Sequence, residues 1–441
     1  MKSWFFIAIL SLISVSIGIV RADWPQYLGP DRNGISSETG LAKSWPKDGP
    51  KVLWTKPLSE GFAAAAIKDG QVYLLDRVKS QEDVLRCYDL ATGNELWNFS
   101  HKDPGEFDFN GSRNPPTVDE NNVYCVGPMG TVYCISRSTH EAVWMKDFKA
   151  DYDAERPMWG FSQSPLLYKN LVIVAPQCPK AGAVAYDKTS GKVVWQTPKL
   201  CDRTGYSSPV LTTIDGVDQA VLMTPLRSAP DEQEQEEQEE KPTFEGGGLY
   251  GIDAKKGEIL WNYKGIACNI TIPPITLIGN GRMFVTAGYE AGSAMIKVVR
   301  KLGKFQVHEL FKTDEYDAQI HPALFYKDHL YLNGNSNERR NGLMCLSLEG
   351  KVLWKTRRRP SFGRGGLILA DGMIYMVEGD KGHLYLIKPT AKEYTEVGMV
   401  KKVLKGKEIW APLAIADGKL VIRDQHQLKC LEVKEALAAK E

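Results

Sequence analysis

The stretch Asp89-Leu-Ala-Thr-Gly93-Asn-Glu-Leu-Trp97 settles the architecture, because it comes back. It returns as Asp187-Lys-Thr-Ser-Gly191-Lys-Val-Val-Trp195 and as Asp253-Ala-Lys-Lys-Gly257-Glu-Ile-Leu-Trp261. Ser136 to Trp144 and Ser347 to Trp354 are weaker copies. Successive tryptophans lie about 43 to 51 residues apart, stretched to about 66 where an insertion falls. That period is the length of four short strands, one blade of a propeller.

Each unit has one grammar. A short strand opens on Ser-Pro or Pro-Pro, as at Pro115-Pro116, Ser164-Pro165, Ser208-Pro209 and Pro273-Pro274. Proline at a strand start removes no ladder donor. A tight turn follows, such as Lys68-Asp69-Gly70 or Ala370-Asp371-Gly372, and these are hairpin signals. The Asp of each repeat can bind its own turn backbone and the Gly allows positive φ. The Trp offers a large flat surface that can wedge between neighbouring blades. Eight units start near Phe62, Arg113, Phe161, Gly205, Ile270, Gln319, Gly363 and Glu408. The fifth has Leu310-Phe311 in place of Trp, and the last has only about three strands. Lys51 to Leu58, with Trp54, reads as a fourth strand with no blade before it. The expectation is an all-β, eight-bladed propeller closed by this N-terminal strand, with seven blades as the alternative. Closure removes the open edges that a sheet must otherwise protect.

The ends read differently. Lys2, the uncharged run Trp4 to Val20 and Val20-Arg21-Ala22 have the order of a signal peptide over 1–22, with cleavage after Ala22. A membrane anchor is the competing reading, but the run is at the short limit for a span. The mature chain is expected to be soluble, monomeric and periplasmic or secreted. Residues 23–50 read as an extension packed on the propeller, 51–433 as the propeller domain and 434–441 as a tail. Without Lys2 and Arg21 the 55 basic residues fall to 53 against 54 acidic ones, so no basic excess points to nucleic acid or a membrane surface. Pro230 to Glu240 is an acidic low-complexity insertion, expected as a disordered loop over 228–245. Arg357-Arg358-Arg359 is either a charged turn or a docking point for acidic groups.

The repeats resemble the PQQ enzyme-like repeat family over about 51 to 433. Asp23-Trp24-Pro25-Gln26-Tyr27-Leu28-Gly29-Pro30-Asp31-Arg32-Asn33-Gly34 resembles the opening of secreted PQQ-binding-like propeller proteins of planctomycete and verrucomicrobial type. Gly127-Pro128-Met129-Gly130, Met158-Trp159-Gly160-Phe161 and Gly205 to Pro209 resemble the same group. The resemblance implies eight blades and brings no established reaction.

Cys87, Cys134 and Cys345 share one slot before the Trp, filled elsewhere by Ala185 and Gly251, and Cys430 falls in the same slot of the last unit. They read as small buried residues on separate blades, too far apart to pair. Simple hairpin register puts Val132 opposite Cys125. Cys178, Cys201 and Cys268 fall in loops of one face, and Cys178–Cys201 is the candidate disulfide of an exported chain.

Loops entering the first strands should converge on the mouth of the central channel. The candidate ligand contacts there are Arg113, Trp159, Tyr206, His321, Arg364 and Trp410. Aromatics interleaved with Arg, His and Asn suit a small-molecule or peptide pocket, and equally a plugged channel. His321, preceding Pro322, also reads as a strand-end residue. Cys-x-x-Cys-His, an adjacent Cys pair, a calcium-binding carboxylate set, a phosphate loop and a metal-spaced His pair are not found. No metal is expected, and the sequence assigns no catalytic residue. Three readings follow. The first is a non-catalytic scaffold holding a protein partner, small molecule or glycan, since the same repeats build the propeller subunit of the outer-membrane β-barrel assembly machinery; that subunit carries a lipid-attachment cysteine which is not seen here. The second is a quinoprotein oxidoreductase using PQQ and calcium. The third is a propeller acting on polysaccharide. The sequence favours the first.

Overall fold

The computed structural model describes residues 22–227 and 246–435, so all of the signal-peptide reading but Ala22, the acidic loop 228–245 and nearly all of the tail lie outside the described residues. Eight four-stranded antiparallel blades form the ring. Blades 1 to 8 span residues 66–102, 117–147, 166–196, 210–263, 276–313, 324–355, 367–400 and 414–432. The last has three strands of its own, and Val52–Pro57 supplies the fourth, pairing Trp54 with Cys430. The seven-blade alternative therefore falls. First strands of neighbouring blades touch around the axis. Phe148–Tyr152 is the one α-helix among the described residues.

The tryptophan slot works as a docking joint. Cys87, Cys134, Cys345 and Cys430 pair with Trp97, Trp144, Trp354 and Trp54, while Ala185 and Gly251 pair with Trp195 and Trp261. The indole N–H then crosses to the next blade. Trp54 donates to Leu90 O (2.9 Å), Trp144 to Lys188 O (2.8 Å), Trp195 to Ala254 O (3.2 Å) and Trp354 to Thr390 O (2.8 Å). In the receiving turn, Asp89, Asp187 and Asp253 accept from the backbone N–H three residues on. Gly93, Gly191 and Gly257 have φ of +71°, +65° and +76°. A Cβ on any of them would lie within 2.7 Å of the visiting indole. Glycine is thus required twice, by backbone conformation and by the ring laid on it.

The irregular units keep the joint with other groups. His140 stands in the glycine position of blade 2, at φ +62°, and stacks on Trp97 at 4.7 Å and 11°. Phe311 occupies the Trp slot of blade 5 opposite Met295 and covers Gly350. Blade 5 has a long hairpin instead of an Asp-Gly turn, so the Trp261 N–H stays in its own blade on Gln219 Oε1 (2.7 Å).

All eight cysteines are free and buried. The Cys178–Cys201 disulfide is not formed: the Cys178 thiol donates to Ala181 O and the Cys201 thiol to Arg203 O, each closing its own turn. Cys125 faces Tyr133, not Val132, because the hairpin pairs Val126 with Val132.

The segment from Trp24 onward crosses the face that carries the Asp-Gly turns. Trp24 exchanges two backbone hydrogen bonds with Ile67 of blade 1, and Pro25 O accepts from Val118 of blade 2. Ile35–Ser36 adds a parallel strand to blade 7. Leu41 N–H reaches Asp371, and Glu38 accepts from Gly418 N–H. Between these anchors the chain drops Arg32 into the axis, where it is 4% exposed. Its guanidinium donates to Pro209 O (2.9 Å), Ser164 O (3.3 Å), Thr117 Oγ1 (3.4 Å) and Pro165 O, joining blades 2, 3 and 4. These are strand-start atoms that no ladder satisfies, which is why a fork of five donors fits there.

Candidate functional site

Up-and-down strands put two kinds of connection on one face: those between blades, and those between the second and third strands within a blade. They surround a cavity of about 240 Å³ at the channel mouth, just below the usual range for small-molecule sites. Arg113, Trp159, Tyr206, Arg364 and Trp410 line it, so five of the six expected ligand contacts are brought together. His321 is not among the lining residues. It is 4% exposed and lies under the backbone of Trp410 and Arg364. Burial pushes its imidazole down to about 4, so it is neutral at pH 7.

Four lining groups form one stack. The Arg113 guanidinium lies 5.0 Å from the Phe62 ring centre, Phe62 stacks on Trp410 at 5.6 Å and 22°, and Arg364 lies 5.2 Å from the Trp410 ring. Across the cavity Trp159 packs on Tyr206 at 5.4 Å, and Phe109 bridges to both Trp159 and Trp410. Arg113 donates to Gly111 O and Phe109 O, which fixes the loop carrying Phe109. Burial lowers Arg113 to about 10 and also lowers Arg364, but both remain charged at neutral pH.

Phe62, Phe109, Tyr27, Tyr289 and Asn337 also line the cavity and were not among the expected contacts. Tyr289 and Asn337 sit in connections within blades 5 and 6, a class of loop that the same strand alternation would have put on this face. Tyr27 reaches the cavity from the N-terminal segment on the opposite face, with the Arg32 charge nearby. No signal in the sequence could find it. The channel is thereby a blind pocket. Burial raises the Tyr27 phenol above its ordinary range.

Among the described residues no carboxylate, imidazole or thiol lines the cavity. The loop carboxylates Asp151 and Asp317 are not among the lining residues. Arg357, Arg358 and Arg359 line a separate shallow cleft with Arg340 and Lys355.

A ring of Trp-docked antiparallel blades around a channel-mouth pocket defines the PQQ-like β-propeller class. Within it, residues 80–356 match the family model described as outer membrane protein assembly factor BamB, and the chain belongs to that family. Among solved structures it is similar to the quinohemoprotein alcohol dehydrogenase from Comamonas testosteroni (12% identity, 95% of this chain and 82% of that one, TM-score 0.62). It is also similar to BamB from Moraxella catarrhalis (13%, 87% and 99%, 0.53) and to a europium-containing methanol dehydrogenase (10%, 91% and 89%, 0.60). At these identities the likeness carries the fold alone. No curated protein matches the chain.

Proposed function

We propose that this protein is an exported, non-catalytic binding propeller that holds a ligand in the blind pocket at its channel mouth. The observation that carries this is the lining itself: stacked aromatics, two guanidinium groups and hydroxyls, with no general base, nucleophile or metal-ligand set. Tyr206 is the acid nearest to such a role, and burial raises it further from ionisation. The export part of the reading rests on the order of residues 1–22.

The quinoprotein alternative is tested by the same residues. Calcium bound beside PQQ needs oxygen ligands with carboxylates among them. Among the described residues the cavity offers no carboxylate, and no three His, Cys, Asp or Glu side chains gather to hold a metal. The residues present do not fit PQQ with calcium, and no step is derived through it.

The test has two parts. A thermal-shift screen of ring compounds on the mature chain should yield binders, and Trp159→Ala should abolish their effect while leaving Tm within about a degree. Titration with PQQ and Ca²⁺ should show no micromolar saturation and no alcohol oxidation with an artificial electron acceptor. Saturation accompanied by turnover overturns the proposal.

A further inference from the structure

We propose that the basic cleft at the rim of blade 6 is a docking site for an acidic polypeptide segment of a partner protein, separate from the channel-mouth pocket.

The first ground is positive charge left without a counter-charge. Arg340, Lys355, Arg357, Arg358 and Arg359 line a cleft of about 680 Å³ beside one carboxylate, Glu338. The whole chain is nearly balanced, with 55 basic and 54 acidic residues, so this concentration is local. All four arginines are exposed. Among the described residues none of the five cations closes to an ion pair, and the arginine side chains donate to no protein acceptor. Asp317 is taken by their neighbour Arg339 (3.4 Å). Like charges held this close repel one another, and an anion that enters between them removes the repulsion.

The second ground is that the cations stand on a pinned turn. Arg357 N–H donates to Asn341 O (2.8 Å) and Arg359 N–H to Thr356 O (3.1 Å). Lys355 Nζ donates to Asn341 Oδ1 (3.1 Å), and Thr356 Oγ1 accepts from Leu343 N–H (3.0 Å). Arg357 has φ +59°, a conformation that costs a non-glycine residue free energy and persists only where its surroundings impose it. A run of arginines that served only to be solvated would need none of these bonds. The backbone beneath the guanidiniums is already placed, so a partner orders less of the chain when it binds.

The third ground selects the partner. No aromatic or aliphatic residue lines the cleft among the described residues, so an occupant is held through charge and hydrogen bonds. Each guanidinium offers a fork of donors that matches the two oxygens of a carboxylate. Glu338 repels an occupant made of acceptors alone, such as a run of phosphates or sulfates. A polypeptide brings backbone N–H donors along with its carboxylates, so it can satisfy Glu338 and the arginines together. Residues 336–339, between the second and third strands of blade 6, join the two sites: Asn337 lines the pocket and Glu338 lines the cleft. A partner seated here therefore lies beside the channel mouth.

The test titrates a decapeptide of alternating Glu and Gly, and its counterpart with Gln for Glu, into the mature chain by calorimetry at about 20 mM NaCl. We expect the Glu peptide to bind at least tenfold tighter, and the gap to close at about 500 mM NaCl, where exposed charges are screened. The joint variant Arg357→Gln, Arg358→Gln, Arg359→Gln should weaken the Glu peptide at least fivefold with Tm within about a degree, and Lys at the same three positions should restore part of the loss. The joint variant Lys192→Gln, Lys255→Gln, Lys256→Gln removes equal charge from exposed turns of the opposite face and should change binding less than twofold. Trp159→Ala should leave it unchanged. Equal binding of the two peptides, or equal loss in the two joint variants, overturns the proposal. Loss on Trp159→Ala moves the peptide into the mouth and overturns it as well. A heparin decasaccharide that binds more tightly than the Glu peptide, through the same three arginines, overturns the choice of a polypeptide. None of these results bears on the pocket reading, which the ring-compound screen tests separately.

Discussion

Replacing Arg32 with Met is the sharpest test of how the N-terminal segment shapes this molecule. Methionine keeps most of the length and bulk but has no donor. It leaves the carbonyls of Ser164, Pro165 and Pro209 without the guanidinium they now share. An unmade hydrogen bond to a buried acceptor costs about 1–3 kcal/mol. Pro165 O keeps the Thr117 hydroxyl (2.7 Å), so two acceptors are left unpaired, and at about 1.5 kcal/mol each they give about 3 kcal/mol. The gain from no longer burying a cation, which burial already lowers to about 9, offsets some of any larger figure. Unfolding entropy near 2.1 cal/mol/K per residue, over 441 residues, makes roughly 0.9 kcal/mol correspond to one degree. Arg32→Met should therefore lower Tm by about 3–4 °C. It should also release the segment from the axis, so that limited proteolysis cuts near residues 30–45 much faster than in the parent. Arg32→Lys should behave nearly as badly, because one ammonium cannot span blades 2, 3 and 4. Circular dichroism melting and a timed protease digest read both effects. An Arg32→Met variant with unchanged Tm and an equally protected segment would refute the claim that this side chain ties the plug to the ring.

Three further outcomes are expected. Trp144→Ala removes an 8% exposed indole and its bond to Lys188 O, so it should cost about 3–5 kcal/mol in denaturant unfolding, whereas Val143→Ala on the exposed face of the same strand should cost under about 1 kcal/mol. Glu38 is pushed up to about 7 by burial, so the folded chain holds its proton more tightly than the unfolded one, and stability should fall as pH rises from about 4.5 to 7; Glu38→Gln should raise Tm by a few degrees at pH 8 and hardly at pH 5, and equal effects at both would contradict the assignment. All eight thiols should resist Ellman's reagent in the native protein and all eight should react in non-reducing denaturant, because burial pushes groups such as Cys87 and Cys134 up to about 12; six reacting thiols would reveal a disulfide.

Much of the ring was legible in the residues because each blade repeats the same local physics. An Asp that binds its own turn, a Gly at positive φ and a Trp at fixed spacing recur, and their period counts the blades. Even the slot shared by Cys87, Cys134, Cys345 and Cys430 could be read, since small residues must face the indole. Cys178 and Cys201 were not legible in this way: one face and an oxidising compartment suggest a pair, but each thiol is turned into its own loop. His321 shows it again, because a position beside a Pro does not reveal whether a ring points into the channel or under it.

The chain's own order of residues therefore decided the propeller, the closing role of Val52–Pro57 and most of the loops that meet at the mouth, and pairing in the closed ring fixed eight blades over seven. Only tertiary structure decided that the channel is closed from below. Tyr27 and Arg32 lie more than 80 residues from Thr117 and more than 130 from Ser164 and Pro165, and nothing periodic marks them. Their role depends on three blades presenting unpaired strand-start oxygens to one axis, a juxtaposition that exists only once the ring has closed. The Arg113–Phe62–Trp410–Arg364 stack has the same origin: its members come from four different connections, and closure makes them neighbours.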